Sequence, residues 1–288
     1  MITELLEELR GPSVGKAGGL AAIVSGAAGA ALFVKGRYSE AEPEMTLLSQ
    51  IALSDGDAFE SYIRAKRAGR DVEAWLREAT LSPLRAAEAA LGLADRLPHA
   101  RKSCPRIMTP DLLVGAHLLE ASVRGSVELA RANLKLFPAP WKEGESRLQK
   151  VCSRLRERDD YRSLFRAVET IAVIGISDKS DKPAFYVPSY LKEKGYRIWG
   201  VHPRGESILA DHTVTKLTDL RSAPDLVLIF RASEKVREHL DEIRETRPKA
   251  VWLQLGIADE EFAGALRKHQ ISVVSDRCAM LEHQKLPL

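Results

Sequence analysis

The first half of the chain carries apolar residues at helical spacing. Between residues 1 and 137 they recur every three or four positions, as in Leu84, Ala87 and Leu91, and no alternating strand pattern occurs. Prolines and glycines separate these stretches, and Thr109-Pro110-Asp111 is typical of a helix start. The pattern predicts an all-α helical bundle for residues 1–137.

From residue 170 the pattern changes to short apolar runs that alternate with helical stretches. Two runs stop at a glycine, Gly175 and Gly256, as fully buried parallel strands do before a tight turn. Gly195 is placed to end a helix in the left-handed conformation. The alternation predicts a doubly wound, Rossmann-like parallel sheet with helices on both faces. The predicted strands are residues 170–176, 196–201, 226–230, 250–255 and 272–276, and the predicted helices lie near 187–194, 233–245 and 259–269.

Residues 138–168 separate the two patterns. Prolines end the last helix of the bundle, and a charged helix follows whose apolar stripe includes Val151, Leu155 and Phe165. Eight basic and six acidic residues between positions 142 and 169 favour a solvated face over a binding surface. The predicted organisation is a bundle at 1–137, a linker and charged helix at 138–168, and a nucleotide-type domain at 169–288.

The composition excludes several classes of function. A net charge of +3 does not indicate nucleic-acid binding. The three cysteines, Cys104, Cys152 and Cys278, fit neither a metal-ligand spacing nor a disulfide framework, which favours a reducing compartment. The beginning of the chain does not resemble a signal peptide, and the Ala/Gly-rich stretch 18–34 is too weakly apolar to span a membrane. We therefore expect a cytoplasmic protein with no metal, membrane or nucleic-acid partner.

The turn Gly175-Ile176-Ser177 carries the clearest chemistry. Ligands of doubly wound sheets bind at the carboxyl ends of the strands. There the amides of this turn, the hydroxyl of Ser177 and the ammonium of Lys179 can hold a phosphate. Neither the dinucleotide fingerprint G-x-G-x-x-G nor the P-loop motif G-x-x-x-x-G-K-[ST] is present. The sequence thus predicts a nucleotide-like ligand, but neither a redox dinucleotide nor ATP hydrolysis.

Six blocks of the second half together resemble a known family. The blocks 171–179, 190–191 with 195–196, 201–203, 229–234, 251–256 and 276–278 are similar to the small CoA-binding domain family, relatives of the CoA-binding domain of succinyl-CoA synthetase. The resemblance implies that CoA or an acyl-CoA lies across the carboxyl ends of the strands. The residues it implies at the cofactor are Gly175, Ser177 and Lys179 at phosphate, Arg231 beside the phosphoadenosine or pyrophosphate, His202, Pro203 and Phe230 nearby, and Gln254, Gly256, Arg277 and Cys278 at the far end.

Several of these residues also have a purely structural interpretation. The two glycines can serve tight turns alone, and Arg231 can pair with Glu234 at a helix start. His202 stands where the family usually has asparagine. A thiol at Cys278 can form a mixed disulfide with bound CoA, but a lone cysteine is more often a small buried apolar residue.

The helical half resembles the cyclodeaminase/methenyltetrahydrofolate cyclohydrolase domain, known from the C-terminal half of formiminotransferase-cyclodeaminase. The resemblance implies a dimeric bundle that binds a tetrahydrofolate derivative between its helices. Asp57, Lys66 and Asp111 remain as acid–base candidates, although all three are equally ordinary solvated helix charges. The matching blocks are 18–22, 26–32, 57–59 with Tyr62 and Lys66, 82–84, 110–112 and 133–134.

The helical half also departs from that family. Leu20 replaces its serine and Leu129 its asparagine, which weakens the case for folate chemistry. The small residues Gly26, Gly29 and Ala30 allow a helix backbone to approach either a neighbouring helix or a flat ring closely.

These observations favour a CoA-binding protein with a cyclodeaminase-like bundle, in which CoA is regulatory or protective rather than catalytic. One alternative is a folate-converting enzyme, a methenyltetrahydrofolate cyclohydrolase or formiminotetrahydrofolate cyclodeaminase, regulated by CoA. Another is a homodimerisation module that carries a CoA sensor.

Overall fold

The computed structural model describes residues 16–204 and 209–288. The chain divides into two compact units, residues 1–159 and 160–286. The division falls inside the helix that the sequence predicts as the charged linker helix. The helices of the first unit are α1 Lys16–Lys35, α2 Glu42–Arg67, α3 Glu73–Ala94, α4 Leu97–Ser103 and α5 Thr109–Leu134, followed by α6 Lys142–Ala167, and short 3₁₀ turns lie at Ser39–Ala41 and Arg106–Met108.

The first unit is the helical bundle that the spacing predicts. Its core is formed mainly by leucine and alanine side chains on α1, α2, α3 and α5. Helices α1 and α5 pack closely where they cross. A methyl group at Gly29 would lie only 2.7 Å from the carbonyl oxygen of Gly115, so the contact requires glycine there. A methyl group at Gly26 would similarly lie 2.5 Å from the Ser122 hydroxyl. The small residues of α1 therefore serve helix packing within the chain.

Part of the charged face of α6 is paired with the bundle and is not simply solvated. Arg158 is 6% exposed. Its guanidinium lies 2.7 Å from Asp95 Oδ1 and 3.0 Å from Oε1 of the buried Glu120. Arg147 likewise contacts Glu88. The charge count could not reveal this pairing, since the partners lie about 40–60 positions earlier in the sequence.

The second unit contains one six-stranded sheet in the order β3-β2-β1-β4-β5-β6, in which all pairings are parallel. This confirms the predicted doubly wound fold, since helices cover both faces. The strands are β1 Thr170–Ile174, β2 Arg197–Val201, β3 His212–Val214, β4 Leu226–Ile229, β5 Ala250–Leu253 and β6 Ser272–Val274, and the helices are α7 Pro183–Glu193, α8 Leu240–Thr246, α9 Glu260–Arg267 and α10 Ala279–Lys285.

Several predicted elements differ in detail from the structure. The region 233–245 begins as a 3₁₀ helix, Ser233–His239, before α8, and strand β3 and helix α10 have no counterpart in the prediction. Four of the predicted strands extend one or two residues past the observed ends, because their last residues belong to the turns, and the predicted strand 196–201 begins one residue early. Gly175 and Gly256 adopt positive φ values of 81° and 80° in those turns, and Gly195 follows α7 at 98°.

Asp225 joins the beginnings of β1 and β4. Its carboxylate accepts hydrogen bonds from the backbone N–H of Glu169 at 2.9 Å and of Thr170 at 3.0 Å. Lys249 Nζ lies 2.8 Å away. Partial burial raises the pKa of this carboxyl, but the bonds from Lys249 and the two amides outweigh it and hold the pKa well below its usual range.

We expect Asp225→Asn to lower the free energy of unfolding by about 1–3 kcal/mol at neutral pH, since it removes bonds to a charged acceptor. The folded-state pKa is depressed, so the contribution is complete above the unfolded pKa near 4 and is lost as pH falls through the lower folded value. Denaturant titrations of both proteins between pH 7 and pH 2 measure this. A deficit that stays constant down to pH 2 would contradict the assignment.

Candidate functional site

The candidate site lies at the carboxyl ends of β1 and β4, where the strand order reverses. Gly175 follows β1, and a methyl group there would lie 2.6 Å from the carbonyl oxygen of Phe230, which follows β4. Glycine is thus required both for its positive φ and for this close approach. The turn brings the segments after the two strands together, and it places Arg231 beside Gly175, with the Arg231 Cδ atom 3.5 Å from that methyl position.

Three backbone amides of the first turn, those of Gly175, Ser177 and Lys179, are already used within the chain. Gly175 N–H donates to Val201 at 3.1 Å, and Ser177 N–H donates to Ala184 at 3.2 Å. The Lys179 amide donates to Ser177 Oγ at 3.2 Å. What these residues offer a phosphate is therefore the Ser177 hydroxyl and the exposed ammonium of Lys179, rather than a cradle of their own amides.

Arg231 lies between two cavities. Within the part of the chain that the structure describes, its guanidinium makes no hydrogen bond or ion pair, and the alternative pairing with Glu234 does not occur. The polar cavity, of about 450 Å³, is lined by Ile174, Val201, Pro203, Thr215, Lys216, Thr218, Arg231, Glu238, His239, Asp241, Glu242 and Glu245. The apolar cavity, of about 630 Å³, is lined by Lys182, Pro183, Ala184, Tyr186, Val187, Phe230, Arg231, Ala232, Gln254, Leu255, Ile257, Cys278, Met280 and Leu281.

Carboxylates dominate the polar cavity, and one of them is held in place. Glu242 accepts from the Leu217 amide at 2.9 Å and contacts the His239 ring. Burial raises the pKa of Glu242, but the contacts with His239 and the Leu217 amide outweigh it, so the pKa lies below its usual value. The wall can accept hydrogen bonds from hydroxyl or amino groups, and Lys216 and Arg231 supply the cationic side.

The apolar cavity leaves large side chains open to solvent. Tyr186, Leu255 and Leu281 are 41%, 67% and 40% exposed in its wall. Exposed apolar side chains that converge on a concave surface are typical of a binding site. Cys278, a half-buried free thiol, lies in the same wall.

The residues after β5 position this wall. The Gln254 side chain is 4% exposed, and its Oε1 accepts the Ala279 amide at 3.2 Å. Gly256 N–H donates to Asp276 Oδ1 at 2.7 Å. The Arg277 carbonyl accepts the Trp252 indole N–H at 2.7 Å. These bonds tie the end of β5 to the segment that begins α10.

The structure brings together only some of the sequence-predicted cofactor residues. Pro203, Phe230, Arg231, Gln254 and Cys278 line a cavity, whereas Gly175, Ser177, Lys179, His202, Gly256 and Arg277 lie in the surrounding turns. His202 Nδ1 accepts the Arg204 amide at 3.2 Å. The sequence analysis missed Lys182, Tyr186, Lys216 and Leu281, although the pair Lys182-Pro183 is a recognisable helix start.

In the helical unit, the three acid–base candidates do not converge. Lys66 contacts the Tyr62 hydroxyl at 3.3 Å. Asp111 pairs with Lys35 at 2.6 Å, at the C-terminal end of α1. Asp57 follows Asp55 by two residues in α2, and Asp55 lies against Gly19, near the beginning of α1. Those two ends of α1 are about 24 Å apart at 1.5 Å per residue.

Asp55 is a buried carboxyl that the sequence analysis did not select. It is 8% exposed. Burial raises the pKa of Asp55, and the nearby Ser82 hydroxyl only partly offsets this. A methyl group at Gly19 would lie 2.0 Å from its Oδ2 atom. The available signal was its position on the buried face of α2, in register with Leu48, Ile51 and Tyr62.

The fold and the two cavities define a nucleotide-binding domain of the doubly wound class, and comparison with known families specifies it further. Residues 169–284 match the family described as CoA binding domain, and residues 34–140 match the family described as formiminotransferase-cyclodeaminase. Residues 169–284 therefore form a CoA-binding domain, and residues 34–140 form a cyclodeaminase-like domain.

Individual relatives cover one half or the other. The uncharacterized protein YneT of Bacillus subtilis is 28% identical over 124 residues, which are 43% of this chain and 92% of YneT. The cell-free ID.343 structure from Thermus thermophilus is 41% identical and covers 44% of this chain and 97% of its own, with a TM-score of 0.43. Formiminotetrahydrofolate cyclodeaminase from Thermotoga maritima is 19% identical and covers 55% of this chain and 94% of its own, with a TM-score of 0.45.

Neither a membrane-spanning helix nor a metal-ligand cluster occurs among the residues that the structure describes. Across 16–204 and 209–288, no helix combines the length and apolar character needed to cross a membrane. Over the same residues, no group of three or more His, Cys, Asp or Glu side chains is arranged to hold a metal ion.

Proposed function

We propose that this chain is a CoA-binding protein in which CoA acts as a regulatory or protective ligand. The observation that carries the proposal is Arg231, a cation at the switch point that has no partner among the described residues and has one cavity on each side. CoA consists of a phosphorylated adenosine and a long, largely apolar pantetheine arm joined by a pyrophosphate. A central cation flanked by a polar and an apolar cavity suits a molecule divided in this way.

Each part of the ligand has a proposed position. The pyrophosphate lies at Arg231, with Lys179 and the Ser177 hydroxyl at the edge of the site. The adenosine occupies the polar cavity, where Glu242 and its neighbours accept hydrogen bonds from amino or hydroxyl groups and Lys216 attracts phosphate. The pantetheine arm covers Tyr186, Leu255 and Leu281, which removes their apolar surface from water.

Calorimetry of the full chain with CoA, and with NAD as the matched dinucleotide, tests this proposal. We expect CoA to bind and NAD to bind more weakly, because NAD carries a second polar nucleoside in place of the apolar arm. Tighter binding of NAD, or no CoA binding at millimolar concentration, would refute the proposal.

A second candidate function rests on the buried cluster of Asp55, Ser82 and Gly19. We propose it as the alternative acid–base site of a folate-converting bundle, because a carboxyl with a raised pKa is suited to proton transfer. The Thermotoga maritima relative is a formiminotetrahydrofolate cyclodeaminase, and its chemistry is the natural one to assay. Against retained activity stand Leu20 and Leu129, whose counterparts in that family are polar.

We expect hydrolysis of methenyltetrahydrofolate to be weak or absent, since loss of one positioned polar group typically costs about a hundredfold. Loss of the methenyl absorbance with the wild-type chain and with Asp55→Asn, Asp57→Asn and Lys66→Met measures it. Rapid turnover that Asp55→Asn abolishes would establish the enzyme and place its site at the buried carboxyl. Rapid turnover abolished only by Asp57→Asn or Lys66→Met would move the site to the exposed face of α2.

We also propose that the bundle forms a homodimer through the outward face of α1, where Ala21, Ala28 and Ala31 are exposed. Small side chains on one helix face allow a second copy to approach closely across a two-fold axis. Light scattering of the full chain should give a dimer at tens of micromolar, and Ala28→Arg should give a monomer. A monomeric wild-type chain at that concentration would count against the dimer.

A further inference from the structure

Gln254 lines the apolar cavity and carries a buried hydrogen-bond donor that has no partner among the described residues. Its side chain is 96% buried and lies in the cavity wall. Its Oε1 atom accepts from the Ala279 amide, but its Nε2 atom has no hydrogen-bond partner among the residues that the structure describes. Because the Ala279 N–H can only donate, this bond fixes which end of the amide is oxygen and leaves the NH₂ group as the unpaired end.

A buried amide NH₂ without an acceptor is costly to the folded protein. An unsatisfied buried donor loses its bond to water and gains nothing in return. None of the described residues that line the apolar cavity accepts a hydrogen bond from this NH₂ group. A ligand that enters this cavity and carries an acceptor oxygen would satisfy the group.

We propose that Gln254 recognises a carbonyl oxygen on the arm of the ligand, and so determines which ligands the apolar cavity accepts. This rests on the proposed CoA function. A CoA arm has two kinds of carbonyl: the amides of pantetheine, present in every CoA, and the thioester carbonyl, present only in acyl-CoA. The chemistry of recognition is the same for both, and the ligands tested separate them.

The experiment compares four ligands by calorimetry on the full chain. Adenosine 3′,5′-bisphosphate has no arm, CoA has the pantetheine amides, S-ethyl-CoA adds two carbons without a carbonyl, and acetyl-CoA adds the thioester carbonyl. The variants are Gln254→Glu, which keeps an oxygen for the Ala279 amide but replaces the donor with an acceptor, and Gln254→Met, which removes both. Gln149→Glu, an exposed change on α6, is the matched control.

We expect Gln254→Glu to weaken acetyl-CoA, which carries both kinds of carbonyl, about tenfold or more and Gln254→Met to weaken it several-fold, with adenosine 3′,5′-bisphosphate unchanged. Equal losses for CoA, S-ethyl-CoA and acetyl-CoA assign the bond to a pantetheine amide. A loss confined to acetyl-CoA assigns it to the thioester. CoA and acetyl-CoA bound as tightly as by wild type, or equal losses for adenosine 3′,5′-bisphosphate and CoA, would overturn the inference.

Two further outcomes, failure of the wild-type chain to bind ligand and unfolding of both variants, are interpreted separately. If the wild-type chain binds neither CoA nor adenosine 3′,5′-bisphosphate, the proposed function fails before Gln254 is at issue, and the inference falls with it. If both variants unfold, a crystal structure of the wild-type chain with CoA and with acetyl-CoA decides. A ligand carbonyl within about 3.2 Å of Nε2 supports the inference, and a different acceptor or none refutes it.

Discussion

Arg231→Ala should weaken CoA binding about ten- to a hundredfold. Each charge-assisted contact to a phosphate is worth roughly 1.5–3 kcal/mol, and a factor of ten corresponds to about 1.4 kcal/mol. Arg231 has no ion-pair partner among the described residues. The variant therefore breaks no internal salt bridge, and the loss measures the ligand contact. Calorimetry with CoA gives the change directly.

Two controls separate charge from geometry. Arg231→Lys keeps the cation but loses the planar fork, so it should recover only part of the affinity. Arg267→Ala removes an exposed arginine that pairs with Glu260 at 2.6 Å, away from both cavities, and should bind as wild type. Unchanged binding in Arg231→Ala would mean that the phosphates lie elsewhere.

Arg158→Met should destabilise the helical unit by about 3–5 kcal/mol, because it leaves Glu120 as a buried charge without its arginine. The side chains of Arg158 and Glu120 are 7% and 8% exposed. The chain offers a matched control: Arg154 binds the same carboxylate, Asp95, but is 48% exposed. Arg154→Met should cost about 1 kcal/mol or less.

Denaturant unfolding followed by helical circular dichroism measures both variants. The double variant Arg158→Met/Glu120→Met should regain most of the lost stability, since it removes the buried carboxylate together with its arginine. Equal costs for Arg154→Met and Arg158→Met would contradict this account, because burial would then make no difference to the value of the pair.

The sequence predicts the centre of the sheet better than its edges. Strands β1, β4 and β5 are buried on both faces and read as continuous apolar runs, so they were predicted. Strand β3 lies at one edge, has three residues and includes the polar His212 and Thr213, so local pattern does not distinguish it from a loop. Helix α10 has only seven residues, too few for a clear period.

The sequence could predict only those parts of the candidate site that a single segment of the chain forms. The glycine turn after β1 could be read from the sequence, and resemblance added Arg231. The apolar cavity needs Tyr186, Leu255 and Leu281 to meet from three separate segments, which no local pattern specifies. The unpaired donor of Gln254 could not be predicted either. It depends on a hydrogen bond from the Ala279 amide to Gln254 Oε1, which only the folded structure shows.

Because the amides of Gly175 and Ser177 already donate to Val201 and Ala184, the proposed phosphate contacts rely mainly on the charged side chains of Lys179 and Arg231. Partly exposed charges are screened by dissolved ions, over a Debye length of about 10 Å at 0.1 M salt and about 3 Å at 1 M. Occupancy of the site should therefore follow ionic strength. Dilute electrolyte favours loading, and concentrated electrolyte favours release, with no change in the protein's own conformation.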